Sequence, residues 1–138
     1  DRTAWWGGKL FDHPIAVTSA GRVYFHEMGF NADGAPLGAY LETGVFDISR
    51  GEYFAYIDGC MPDFKDQGAG LDLYVYTRET AQGPETELGP FRLKKSGERA
   101  WFEACGRFLR FKIASVGIPD TWRLGDVRFY VTKTGMRE

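Results

Sequence analysis

No apolar run in this chain approaches the roughly 18 residues that a membrane-spanning helix requires, and the first residues do not read as a secretory signal. A membrane span is therefore not expected. Cysteine is scarce, with Cys60 and Cys105 the only two. Two thiols in a chain long enough to bury a core do not make a disulfide framework, so both are expected to be buried and free, in a reducing cytoplasm. Histidine is equally rare, and His13 and His26 with Asp12, Glu27 and the cysteines offer neither C-x-x-C nor H-E-x-x-H, so no zinc site is expected. Also missing are a P-loop, a G-x-G-x-x-G turn and a G-x-S-x-G elbow, which removes the usual phosphate cradles and the activated serine. Net charge is slight, −2 with a pI near 5.7, so nothing global draws the chain to phosphate. No segment carries a convincing helical period.

What is present favours sheet. Of 138 residues, 43% are hydrophobic and 16% aromatic, with eleven Phe, seven Tyr and four Trp, side chains that suit a pleated, half-buried surface. Eighteen Gly and six Pro fall mostly between the apolar runs and read as turns. The length fits one domain with a core of its own. The expected fold is all-β, with antiparallel sheets of propeller-blade or sandwich-like type. Residues 1–138 read as a single β-rich domain or, since the chain begins at Asp1 and not at Met, as the C-terminal part of a longer propeller-type chain. Any subdivision is expected near 64–70.

Along the chain, Ile15 to Thr18 and Arg22 to His26 flank a three-residue connection ending in Gly21 and read as a hairpin. Asn31 to Pro36 is a turn, and Ala39 to Ile48 a long strand interrupted at Gly44. Tyr53 to Cys60 is a strand ended by Pro62 and Asp63. Leu71 to Thr77 is the cleanest alternation, with Leu71, Leu73 and Val75 on one face and Asp72, Tyr74 and Tyr76 on the other. Glu79 to Gly89 reads as an exposed loop, and Phe91 to Lys94 and Ala100 to Cys105 as further strands. The last two, Arg107 to Val116 and Trp122 to Val131, read as a strand pair with large residues on both faces, a pair covered on both sides by a sheet or a subunit.

Three groups of residues invite a chemical reading. Asn31, Asp33 and Gly34 mimic part of a calcium loop, but Tyr40 stands where that loop needs its Glu, so a simple turn is expected. Asp58, Asp63, Asp66 and Asp72 supply carboxylates of the glycosidase kind, though residues of this type commonly end strands or solvate loops. The chain is thus expected to have no catalytic site, no metal and no cofactor. The basic C-terminal part is more informative. Arg107, Arg110, Lys112, Trp122, Arg123 and Arg128 are candidates for a subunit interface, because Arg and aromatics are the types enriched there and guanidinium groups fork onto a neighbour's carboxylates. Arg99, Lys133, Arg137, Trp101, Phe108 and Tyr130 extend the same pattern, which is also that of a single-stranded nucleic-acid surface.

Several stretches resemble the C-terminal part of tailed-bacteriophage tail proteins: Val23-Tyr-Phe-His-Glu-Met-Gly, Asn31-Ala-Asp-Gly, Tyr40-Leu-Glu-Thr-Gly, Val45-Phe-Asp-Ile and Pro62-Asp-Phe. The ending, Cys105-Gly-Arg, Arg110-Phe-Lys-Ile-Ala-Ser and Trp122-Arg-Leu-Gly-Asp-Val-Arg, closing near Gly135-Met-Arg, is similar to that of virion proteins of the tail hub or nozzle. The resemblance runs from about Arg22 to Arg137. It implies a non-enzymatic, propeller-like subunit in a homo-oligomeric ring, in contact with other tail proteins and with genomic DNA crossing the lumen. The implied location is the virion tail, after assembly in the host cytoplasm. A second reading is a carbohydrate-binding or adhesin module, from Trp5, Trp6, Trp101 and Trp122, whose rings could stack on sugars.

Overall fold

The computed structural model describes residues 1–48, 50, 52–65, 70–117 and 121–136. Among them there is no helix, and the strands run in chain order as β1 (Ala4–Trp6), β2 (Ile15–Val17), β3 (Val23–Phe25), β4 (Asn31–Ala32), β5 (Ala35–Pro36), β6 (Tyr40–Glu42), β7 (Phe46–Asp47), β8 (Tyr53–Lys65), β9 (Leu71–Arg78), β10 (Thr86–Leu93), β11 (Ala104–Gly106), β12 (Phe108–Ser115) and β13 (Arg123–Met136). Every pairing is antiparallel. The protein is all-β.

The chain divides into two compact units, Asp1–Phe30 and Asn31–Glu138. The subdivision expected near 64–70 falls largely on 66–69, outside the described residues. The first unit is the sheet β1-β2-β3, whose hairpin turns at Gly21 as expected. Its aromatics meet edge to face, Trp6 on Phe11 and Phe11 on Phe25, and Arg2 lies over Tyr24. Only Ala16 of this unit is buried, whereas Trp5, Leu10, Val23 and Phe30 stay exposed.

In the second unit one sheet has the order β10-β9-β12-β6, with β7 also on β12, and another the order β11-β8-β13; β4 and β5 form a small hairpin. Period-two patterning explains the core. Leu71, Leu73 and Val75 of β9 lie beside Leu109, Phe111 and Ile113 of β12, with Ile113 opposite Leu73 and Phe111 opposite Val75. They share one cluster with Ala55, Ile57, Cys60 and Phe64 of β8 and Ala104 of β11. Ile57, Leu73, Val75 and Leu109 are fully buried, and each such side chain contributes about 1.5–3 kcal/mol through its removal from water. Ring stacking links the sheets: Phe111 of β12 lies on Phe129 of β13, centroids 4.0 Å apart.

Several sequence expectations need correction. The segments Arg107 to Val116 and Trp122 to Val131 are strands but not a pair: β12 hydrogen-bonds to β9, β6 and β7, and β13 to β8 in the other sheet. Nor does β13 keep one strict alternation along its length. Its register shifts between Leu124 and Asp126, so Leu124, Val127 and Phe129 all pack on the core across an inserted Gly125. A Cβ at Gly125 would sit 3.2 Å from both a backbone and a side-chain oxygen of Asp63, so a side chain there would have to push Asp63 aside by a few tenths of an ångström. Strand β8 continues past Pro62, because beyond Cys60 only β13 pairs with it and one flank needs no donor. The expected loop from Glu79 to Gly89 ends early, since β10 begins at Thr86 and absorbs Gly89 and Pro90 in a bulge. The long strand from Ala39 to Ile48 is two short ones. Between them the Thr43 amide donates to the Phe111 carbonyl at 2.9 Å, and the Thr43 hydroxyl accepts from the Phe111 amide at 3.0 Å.

Candidate functional site

The outward face of the five-stranded sheet gathers cations, carboxylates and tyrosines into one network. On β12 the outward positions are Arg110 and Lys112, whose cross-strand partners on β9 are Tyr76 and Tyr74. The Arg110 guanidinium lies 3.8 Å from the Tyr76 ring centroid, and Lys112 Nζ sits 5.1 Å from the Tyr40 ring and 5.7 Å from Tyr74. Arg110 donates to Glu85 with two nitrogens and to Glu42 with a third. Arg78 donates to the same Glu85 from Nη2 at 2.7 Å and Nε at 3.1 Å. Neighbouring Arg92 pairs with Asp72 at 3.1 Å. This explains why Asp72 and Tyr76 are buried on a face without a second sheet over it.

These contacts set the protonation of the network. Hydrogen bonding from Arg110, then from Arg78, holds the Glu85 carboxyl below its ordinary range against the opposing effect of burial. Arg110 is raised in turn, mainly by the Glu85 hydrogen bond. Burial, and after it a hydrogen bond with Glu87, raises the Tyr76 phenol. The carboxylates onto which Arg110 forks belong to its own chain.

The six residues expected at an interface are not brought onto one surface. Arg110 and Lys112 belong to the network just described. Arg107 stands between β11 and β12 with its guanidinium 4.4 Å from the Phe54 ring centroid. Trp122 meets Phe64 edge to face and packs on the core. Arg123 and Arg128 are exposed on β13, where Arg128 makes a 3.8 Å ion pair with Asp126. Arg137 lies outside the described residues.

The carboxylates read for glycosidase chemistry are occupied elsewhere: Asp58 pairs with Arg99 at 2.8 Å, Asp72 with Arg92, and Asp63 accepts from the Ser96 hydroxyl at 3.3 Å. Asp66 is outside the described residues. Asn31 Oδ1 accepts from the Gly34 amide at 2.9 Å and closes the turn read there. His26 accepts from Arg2 at 3.4 Å and lies against Trp5.

Sequence reading missed an apolar groove. It has a volume near 300 Å³ and opens between β6 with β7, which contribute Leu41 and Phe46, and β13, which contributes Leu124, Val127 and Phe129, over Ile113. Both walls are sheet margins. In the strand order of its sheet β13 is terminal over 14 residues, and β6 with β7 close the other sheet on this side. Leu41 and Phe46 of the groove wall remain exposed, as do Val45, Tyr130 and Val131. Such margins present unpaired backbone donors and acceptors beside apolar side chains, the material of strand-mediated association. The signals in the sequence were Leu41 and the pair Val45-Phe46, apolar residues on either side of Gly44.

Comparison of the chain with known protein families, with curated proteins and with solved structures gave no match.

Proposed function

We propose that this chain is a non-enzymatic structural module of a phage virion, a tail hub or nozzle component that assembles with copies of itself into a ring traversed by DNA. The observation that carries the reading is the apolar groove flanked by β13 and by β6 with β7, terminal strands of their sheets among the described residues. A ring requires contacts between two different patches of one subunit, and two unlike margins beside a shared apolar cleft meet that need. Exposed Asp126 and Arg128 add one charge of each sign at the rim, which favours a single register over sliding. The resemblance of the terminal segments to tail proteins gives the contact its purpose.

Within that reading the second unit is a β-sandwich, its two sheets joined by the Phe111 and Phe129 stack. The first unit is a blade of a larger propeller-type chain: three antiparallel strands with one buried residue need neighbours to cover their aromatics.

The test is the mass in solution across a concentration series, by light scattering and sedimentation, with electron microscopy of the purified particles. The chain is expected to form multiples of 15.6 kDa. Leu41→Lys and Val131→Lys, each a charge on a half-exposed margin, are expected to return it to the monomer with its β-sheet signal intact. A wild-type chain that stays monomeric well above micromolar concentration, or particles without tail structures, would overturn the reading.

A further inference from the structure

On the second unit, away from the groove, an indole is held flat and left open. The strand β8 and the segment before β11 are joined at Cys60 and Ala100, which exchange amide hydrogen bonds of 2.8 and 2.9 Å. That bridge turns Phe102 inward, stacked on Phe91 at 4.7 Å, and sends Trp101 outward, where it is 70% exposed. Arg99 fixes its plane. The guanidinium is sandwiched 3.6 Å from the Trp101 ring centroid and 3.8 Å from that of Tyr130, and Asp58 anchors it at 2.8 Å. Gly59 makes the approach possible, since a Cβ there would stand 2.5 Å from the Ala100 carbonyl and 3.2 Å from Arg99 Nε. Trp101 and Tyr130 thus both lie against one guanidinium, which holds the indole in place while most of its surface stays open.

Beside the indole lies a cleft of about 240 Å³ edged by Arg92, Lys94, Glu98 and Arg99. We infer that this cleft binds one pyranose ring of a saccharide, with the C–H face of the sugar on Trp101 and its hydroxyls shared between Glu98 and the cations. The volume suits one ring and is below that of drug-sized pockets. Charge selects the ligand class. Two of the three cations are already matched by carboxylates, Arg92 by Asp72 and Arg99 by Asp58, and Glu98 adds an acceptor that repels a phosphate chain. Such a rim offers donors and acceptors together, as a polyhydroxylated ring requires, and lacks the excess positive charge that grips nucleic acid.

The experiment is a glycan microarray probed with the full chain, followed by calorimetric titration of the best-bound glycan and, in parallel, of an oligothymidylate. Trp101→Ala is expected to weaken glycan binding at least about tenfold, the scale of one lost stacking contact, with Glu98→Gln and Lys94→Ala weakening it several-fold. Trp101→Phe should retain part of the affinity, and Trp5→Ala all of it. Because Trp101 is largely exposed, its variants should melt with the wild type, which separates a lost site from a lost fold. Absence of any bound glycan, equal binding by Trp101→Ala, or tighter binding of the oligothymidylate through Trp101 would each overturn the inference. Failure here would leave the assembly reading untouched, since no groove residue is involved.

Discussion

If the two sheets of the second unit face each other, their stacked phenylalanines must be energetically coupled. Phe111 is 4% exposed and lies between Phe129, 4.0 Å away, and Phe46, 5.4 Å away. Truncating it to alanine removes a buried ring and leaves a cavity between the sheets, a change that typically costs about 3–5 kcal/mol. Since a domain's whole stability is about 5–15 kcal/mol, that variant could lie too close to unfolding to measure. Phe111→Leu and Phe129→Leu keep most of the volume and remove only the stack, each costing under about 1.5 kcal/mol. Urea unfolding followed by far-ultraviolet circular dichroism, for both single variants and the double, closes a mutant cycle. The expected coupling is about 0.5–1.5 kcal/mol, with unchanged dependence on urea. Additivity within about 0.3 kcal/mol would refute the facing arrangement, because two residues on unconnected sheets share nothing to lose twice.

Acid and thiol chemistry offer two further tests. Glu85→Gln removes the carboxylate shared by Arg78 and Arg110 and should cost about 1–2 kcal/mol at neutral pH. Because the folded state lowers the Glu85 pKa, its stabilisation is present above the unfolded value near 4.3 and is lost as pH falls through the lower folded value. The wild-type melting temperature should therefore converge on that of the variant in acid; a gap that persists well below pH 4 would contradict the network. Cys60 is buried as expected, and burial pushes its thiol up to about 12, whereas Cys105, expected to be buried, is exposed because it alternates with the buried Ala104 and Gly106 on β11. Ellman's reagent near pH 8 should titrate one thiol in the native chain and two in guanidinium, and two rapid native thiols would refute the placement of β8. Alkali should also destabilise the fold progressively above the unfolded thiol value of about 8.5, as the unfolded chain ionises first.

Much of the second unit was legible because β9 and β12 keep period two along their inward faces. Leu71, Leu73 and Val75, like Leu109, Phe111 and Ile113, announce a buried face by spacing alone. Pairing was not legible. Local pattern marks a strand but not its neighbour, and β12 finds β9 and β6 where adjacency in sequence suggested β13. Bulges hid as well: Gly89 read as the end of a loop and Gly125 as an ordinary strand position, although each lies inside a strand that kinks around it. At the candidate site the cations were visible and their partners were not, since Glu42 and Glu85 lie 68 and 25 residues from Arg110 in sequence. The apolar groove escaped because its walls come from opposite ends of the unit.

The inserted glycine of β13 gives that strand two phases. Trp122 and Leu124 are core positions when counted by even numbers; beyond Gly125 the core positions are Val127 and Phe129, counted by odd numbers. The strand therefore behaves like a message with a single-letter spacer, legible only if the spacer is kept. From Arg123 to Thr134 its inward meaning turns on one residue without a side chain, and the same residue decides which letters that stretch displays to whatever lies outside.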